Sequence, residues 1–206
     1  MAEKQDILNL SLEEIKQAVH ELGQPHYRAQ QIFQWLHRGV KSFDDMTDLP
    51  KALRELLAER FCIERLQMLD KLMSKTGDAI KYLFLLHDRN IIESVVMRYK
   101  YGNSLCLSTQ VGCRMGCKFC ASTMGGLVRN LSAGEMLAQV IEVNRDLEQA
   151  GESGVGNIVL MGIGEPLDNY DNTVKFIKLI HHPMWLNMSY RRITLSTCGL
   201  VPRIMD

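Results

Sequence analysis

Apolar residues in the first sixty positions recur every three or four residues, the period of a helix with one buried face. Leu12, Ile15, Val19 and Leu22 follow Ser11, which makes a capping-box signature with Glu14, and Gly23 can end the helix. After Pro25 the segment Tyr27–Arg38 carries Ile32, Phe33, Trp35 and Leu36 and stops at Gly39; a third helix follows Pro50 through Leu53, Leu56 and Leu57. Three short helices hold little core of their own, so they predict a small accessory domain packed on something larger. From about residue 65 the period changes to that of strands. Arg65–Met73, Ile80–His87 and Ile91–Tyr99 are rich in β-formers and are separated by Thr76-Gly77-Asp78 and Asp88-Arg89-Asn90, which predicts antiparallel hairpins.

After a turn at Gly102-Asn103, a strand at Ser104–Thr109 leads into a glycine- and cysteine-rich loop, and beyond it strands and helices alternate. Ser132 and Glu135 cap a long helix with Met136, Leu137, Val140, Ile141 and Val143 on its apolar side. A buried-type strand follows at Asn157–Met161, then a helix near Asn172–Ile180, a strand at Arg192–Thr197 and a helix starting at Pro202. Such alternation predicts an α/β fold with a parallel sheet whose ligands bind at the C-terminal strand ends. Three motifs fall at those ends: the cysteine loop, Gly162-Ile163-Gly164-Glu165-Pro166, and Ser196-Thr197-Cys198-Gly199. Three parallel strands make a poor closed core, which predicts a piece of a larger protein.

Composition adds exclusions. The 206 residues are 46% hydrophobic and 23% charged, as in ordinary globular proteins. No apolar run is long enough for a membrane span, and the polar N-terminus lacks a signal-peptide pattern, so a cytoplasmic chain is expected. In that reducing setting six cysteines point to metal binding, catalysis or burial rather than a disulfide framework. The net charge of zero hides a segregation: Ser94–Gly134 contains no acid but holds Arg98, Lys100, Arg114, Lys118 and Arg129, and Lys175–Met205 is likewise acid-free. A basic zone beside the cysteines suits a polyanionic substrate or an anionic cofactor.

Cys113, Cys117 and Cys120 have the spacing C-x3-C-x2-C. Three thiolates can hold a metal centre but leave one coordination position open, which is a reactive arrangement rather than a structural one. Zinc, an iron–sulfur cluster and no metal all remain open on spacing alone. A structural zinc would want a fourth ligand nearby, and the loop offers none; Phe119, between two of the thiols, would shield a cluster from water. Gly162–Pro166 lacks phosphate-loop spacing, but its glycines permit close backbone approach and Glu165 could accept from an amine. Ser196 could hydrogen-bond the same ligand. Cys198 reads as a small strand-end residue, and Cys62 as a buried hydrophobe. Cys106, seven residues before Cys113, could face the same cavity. Glu93, in an apolar strand, is either solvent-facing or a desolvated base with a raised pKa.

The strings QVGCRMGCKFCAS, GGLVRNLSAGEMLAQV, MGIGEPLDNYDN and RRITLSTCGLVPRI resemble the RlmN-type branch of the radical S-adenosylmethionine (SAM) superfamily, over nearly the whole chain. The Cfr-type enzymes, which modify carbon 8, are a close sister group; another radical SAM enzyme or a zinc-stabilised RNA-binding module are the remaining alternatives. The resemblance implies a partial (β/α) barrel, here about three βα units (101–206), preceded by a helical RNA-binding accessory domain (1–62) and an antiparallel β extension (63–100). It implies a [4Fe-4S] cluster on Cys113, Cys117 and Cys120, and SAM contacts from Gly164, Glu165 and Ser196. The implied reaction methylates carbon 2 of an adenosine in 23S rRNA and in tRNA beside the anticodon. Glu93 matches the base, and Cys106 matches a thiol that forms a disulfide with a methyl-carrying cysteine. No residue here corresponds to that methyl-carrying cysteine, so this chain alone is not expected to complete methyl transfer. Flavodoxin or ferredoxin as electron donor and a monomeric state complete the implied picture.

Overall fold

The computed structural model describes residues 4–206. In chain order the elements are β1 (Gln5–Asp6), α1 (Leu12–Glu21), α2 (Tyr27–His37), α3 (Lys51–Arg60), β2 (Phe61–Cys62), β3 (Gln67–Met73), β4 (Ala79–Leu85), β5 (Ile91–Tyr99), β6 (Gly102–Cys106), β7 (Gln110–Gly112), β8 (Leu127–Asn130), α4 (Ala133–Gln149), β9 (Val155–Leu160), α5 (Tyr170–His181), β10 (Ile193–Leu195) and α6 (Val201–Met205). Both capping boxes form. Ser11 accepts from the Glu14 amide and Ser132 from the Glu135 amide, while each glutamate accepts from its cap's own amide.

A single six-stranded sheet, ordered β10-β9-β6-β5-β4-β3, organises the chain. Strands β3 to β6 form an antiparallel meander, and β6, β9 and β10 are parallel, so β6 is where the pairing mode changes. The hairpin strands are therefore continuous with the parallel part, and the sheet is not closed into a barrel. One face is buried. Tyr82, Phe84, Ile92, Val96, Leu105 and Ile158 join Met136, Val140 and Val143 of α4 and Phe176 and Ile180 of α5 in one core. From Ile91 to Met97 burial alternates residue by residue, the period-2 signature of a strand with one covered face. The other face stays open: Glu93, Val95, Cys106 and Val159 are half-buried, and Leu72 and Met161 are exposed.

The N-terminal helices share this core rather than standing apart. Pairing of β1 with β2 brings residues 5–6 beside 61–62 and closes the helical unit on itself. Asn9 then receives the Gly134 amide of α4 (3.2 Å), Glu14 pairs with Lys175 of α5 (2.9 Å), and His37 reaches the Met184 carbonyl (2.7 Å). No helix among the described residues is long and apolar enough to cross a membrane.

Candidate cluster and SAM site

Strand β6 ends at Cys106, three residues short of the expected Thr109, and the cysteine loop springs instead from a small hairpin. Strands β7 and β8 pair antiparallel, Gln110 with Asn130 and Val111 with Arg129. Strands of three and four residues, one ending in Gly112, carry too little period for sequence patterns to detect. At the neck Gly112 has φ +70°, and a Cβ there would stand 2.0 Å from the Gly126 carbonyl oxygen, which accepts the Cys113 amide (3.0 Å). Only glycine fits that crossing.

Cys113, Cys117 and Cys120 line a cavity of about 240 Å³ together with Gly164, Glu165 and Ser196. The six residues expected at one site thus meet. Among the described residues no three His, Cys, Asp or Glu side chains converge as ligands of one metal ion do; the thiols border a bowl instead. A larger cavity of about 490 Å³ lies between α2 and α4, beside Arg38, Arg145 and Trp185, but no thiol and no strand-end motif reaches it.

Three expectations change. Phe119 borders the bowl but is 94% exposed, so it shields little. Cys198 is exposed and lines the bowl as a fourth thiol; burial first, then the Glu165 carboxylate, push its thiol up to about 11. No disulfide forms among the six cysteines, and Cys106 is a free thiol whose implied partner has no counterpart in this chain.

The glycine-rich motif makes its close approaches to protein. A Cβ on Gly162 would lie 2.6 Å from the Leu107 carbonyl, and one on Gly164, at φ +114°, would lie 2.6 Å from the Gln110 side chain. Glu165 is buried, and its carboxylate accepts backbone amides from Leu167 (3.0 Å) and Cys198 (2.7 Å), tying the loops after β9 and β10 together. Gln110, absent from the expected site residues, is the hub. It is fully buried, accepts the Glu165 amide (2.8 Å), and donates to Asn130 (2.8 Å) and Asp168 (3.0 Å). Asn169 donates to the carbonyls of Thr109 (2.8 Å) and Leu131 (2.7 Å), bracing both roots of the hairpin. Glutamine and asparagine carry no metal or acid–base signal in a sequence, which is why spacing arguments pass over them.

Glu93 and Cys106 project from the open face of the sheet. Cys106 pairs with Val95, two residues from Glu93, which puts all three side chains on one side. Cys106 is not part of the bowl wall, although Met161, whose backbone hydrogen-bonds its sulfur, is; burial raises its pKa. Glu93 is half-exposed and ion-paired with Lys81 at 3.0 Å, on the solvent-facing alternative.

The basic zone is largely neutralised in space. Arg98 pairs with Glu152, Arg114 with Asp168, and Arg129 with both Asp88 and Glu135. The Arg114 guanidinium holds the Asp168 carboxyl below its ordinary value.

Residues 5–63 match the ribosomal RNA large subunit methyltransferase N-terminal domain family, and residues 107–206 match the radical SAM superfamily. The chain is 52% identical, over 98% of its length, to a probable dual-specificity RNA methyltransferase RlmN of Clostridium acetobutylicum, covering 57% of that protein. A counterpart in Alkaliphilus oremlandii is 54% identical over 98% of the chain and 58% of its own length. The chain is similar to the RlmN enzymes along nearly its whole length. A crystal structure of a radical SAM methyltransferase from Sphaerobacter thermophilus superposes with a TM-score of 0.90 at 43% identity, covering 97% of this chain and 59% of that one. The chain spans somewhat more than half the length of these relatives, and its partial α/β radical SAM fold is the one expected from the motifs.

Proposed function

We propose that the chain forms the cofactor-holding part of a radical SAM RNA methyltransferase acting on carbon 2 of adenosine in 23S rRNA and tRNA. The observation carrying this reading is the shared bowl: three thiols on one loop, with Gly164, Glu165 and Ser196 on its opposite wall. The donor set fits a cluster. It consists of soft thiols, with no imidazole in the cavity wall. When bound, a [4Fe-4S] cluster and SAM would supply one-electron chemistry and the methyl group.

This chain's residues then hold and orient. Cys113, Cys117 and Cys120 would hold the cluster. Gly164 and Ser196 line the place for its amino-acid end, and Glu165, already accepting two amides, sets the distance between those two loops. Glu93, ion-paired with Lys81, is the proton acceptor on the open sheet face. Cys106 is a reserve thiol on the same face. The helical unit to residue 62 serves as accessory RNA-binding domain, 63–100 as the antiparallel extension and 101–206 as the barrel portion. Flavodoxin or ferredoxin delivers the electron to a cytoplasmic monomer.

Anaerobic reconstitution with iron and sulfide tests the reading. A brown protein with about four irons, which cleaves SAM to 5′-deoxyadenosine on addition of dithionite and loses its colour in Cys113→Ala, Cys117→Ala or Cys120→Ala, supports it. A colourless protein carrying one zinc refutes it.

A further inference from the structure

The cysteine loop, residues 113–126, hangs from the β7–β8 neck, and its internal bonds are local: Cys120 N to Cys117 O at 3.0 Å, and Thr123 Oγ1 to Cys120 O at 3.0 Å. Among the described residues, one side-chain pair joins this loop to a different element. Arg114, directly after Cys113, donates through Nε (3.0 Å) and Nη2 (2.5 Å) to the two carboxylate oxygens of Asp168, in the loop after β9. A two-point fork fixes direction as well as distance, which a single bond does not.

Asp168 is occupied by protein on both oxygens. Oδ1 takes Arg114 Nη2, and Oδ2 takes Arg114 Nε together with Gln110 Nε2. Its side chain is only 9% exposed, whereas that of Arg114 is 64% exposed. The rigid member is therefore the carboxylate, anchored through Gln110 to the hairpin neck and to the Glu165 amide. The exposed member is the arginine on the thiol loop. We infer that Asp168 and Arg114 are positioning residues: their ion pair sets the thiol loop against the Gly164–Glu165 wall before any cofactor arrives. At Gly116 a Cβ would meet nothing within 4 Å, so no packing fixes the loop at that point. Pre-organising ligands on a loop otherwise held only at its neck lowers the ordering cost of binding.

The functional consequence rests on the cluster reading, so the test has an arm that does not. In the metal-free chain, hydrogen exchange of amides 113–126 is expected to accelerate about tenfold in Arg114→Ala and in Asp168→Asn, with global thermal stability unchanged. In reconstituted protein, chelator-driven iron release should accelerate by a similar factor in both variants and the electron paramagnetic resonance line shape should broaden. The Arg114→Ala/Asp168→Asn double variant should be no worse than either single. Unchanged exchange in the loop, or additive effects in the double variant, overturns the positioning role. Failure of the wild type to take up iron overturns the cluster reading while the exchange arm still decides the tether. Should Asp168→Asn disturb the Gln110 network and unfold, Arg114→Ala, on the exposed side, decides alone.

Discussion

Gln139 pairs with the backbone of Ser108 as a strand would, its Nε2 donating to the Ser108 carbonyl at 3.0 Å and its Oε1 accepting the Ser108 amide at 2.9 Å. Both residues are fully buried, and Ser94 donates its hydroxyl to the same Oε1 (2.8 Å). The pair bolts α4 to the chain leaving β6, just before the cysteine hairpin. Gln139→Leu keeps the bulk and strands a buried amide and carbonyl, which costs roughly 2–4 kcal/mol. Urea unfolding should show a lower midpoint at unchanged slope; a midpoint within error of wild type would remove Gln139 from that role.

Asp6 combines a useful oxygen with an idle one. Oδ1 accepts the amides of Leu8 (3.0 Å) and Glu64 (3.1 Å), while buried Oδ2 has no partner and faces Gly134. Burial pushes its carboxyl up to about 6. Because the folded value lies above the unfolded one, the stability linked to the protonated form is present below about pH 4 and lost as the pH rises through 6. Asp6→Asn keeps the acceptor and removes the charge. It should match wild type at pH 4 and exceed it by roughly 1–3 kcal/mol at pH 8, read from paired denaturation curves.

His37 works in the opposite sense. Its ring lies 4.2 Å from Phe33 and 4.4 Å from Trp185 between ring centres, and burial, with a smaller contribution from His182, pushes its pKa down to about 2. The short contact to the Met184 carbonyl makes Nδ1 the donor of a neutral ring. The unfolded chain binds this proton near pH 6.5 and the folded one does not, so stability falls as the pH drops below 6.5, by at most about 1.4 kcal/mol per pH unit. His37→Gln should flatten that acid limb; an unaltered slope between pH 5 and 7 would place the proton elsewhere.

Two glycines of the cysteine loop should differ. Gly112 and Gly116 share φ +70°, but only at Gly112 does an added Cβ strike backbone. Gly116→Ala pays the left-handed backbone cost alone, about 1–2 kcal/mol. Gly112→Ala should in addition open the neck, lowering the thermal midpoint further and abolishing iron uptake. Equal behaviour of the two variants would contradict the geometry.

Local signals were the legible ones. Ser11–Glu14 and Ser132–Glu135 announce their helices because both partners lie within one turn. The strand-end convergence of Cys113, Gly164 and Ser196 was readable because βα alternation fixes which loops share an end. The charge segregation did not reveal the ion pairs, since the partners of Arg98, Arg114 and Arg129 lie up to 54 residues away. Gln110, Asp168 and Asn169 were invisible as a network for the same reason: each bond joins segments that are distant in sequence. Cys198 was passed over because strand-end position alone does not say which way a thiol points.

The change of pairing mode at β6 divides the sheet by the time each part takes to assemble. Its contacts with β5 close across a tight hairpin, whereas those with β9 must wait for the whole of 107–154 to double back. Loop-closure entropy and contact order then predict that the meander nucleates folding and the bowl forms last. During synthesis the antiparallel ladder can already be complete while Gly164, Glu165 and Ser196 are still in the ribosome, so the three thiols wait, loosely spaced, for their opposite wall.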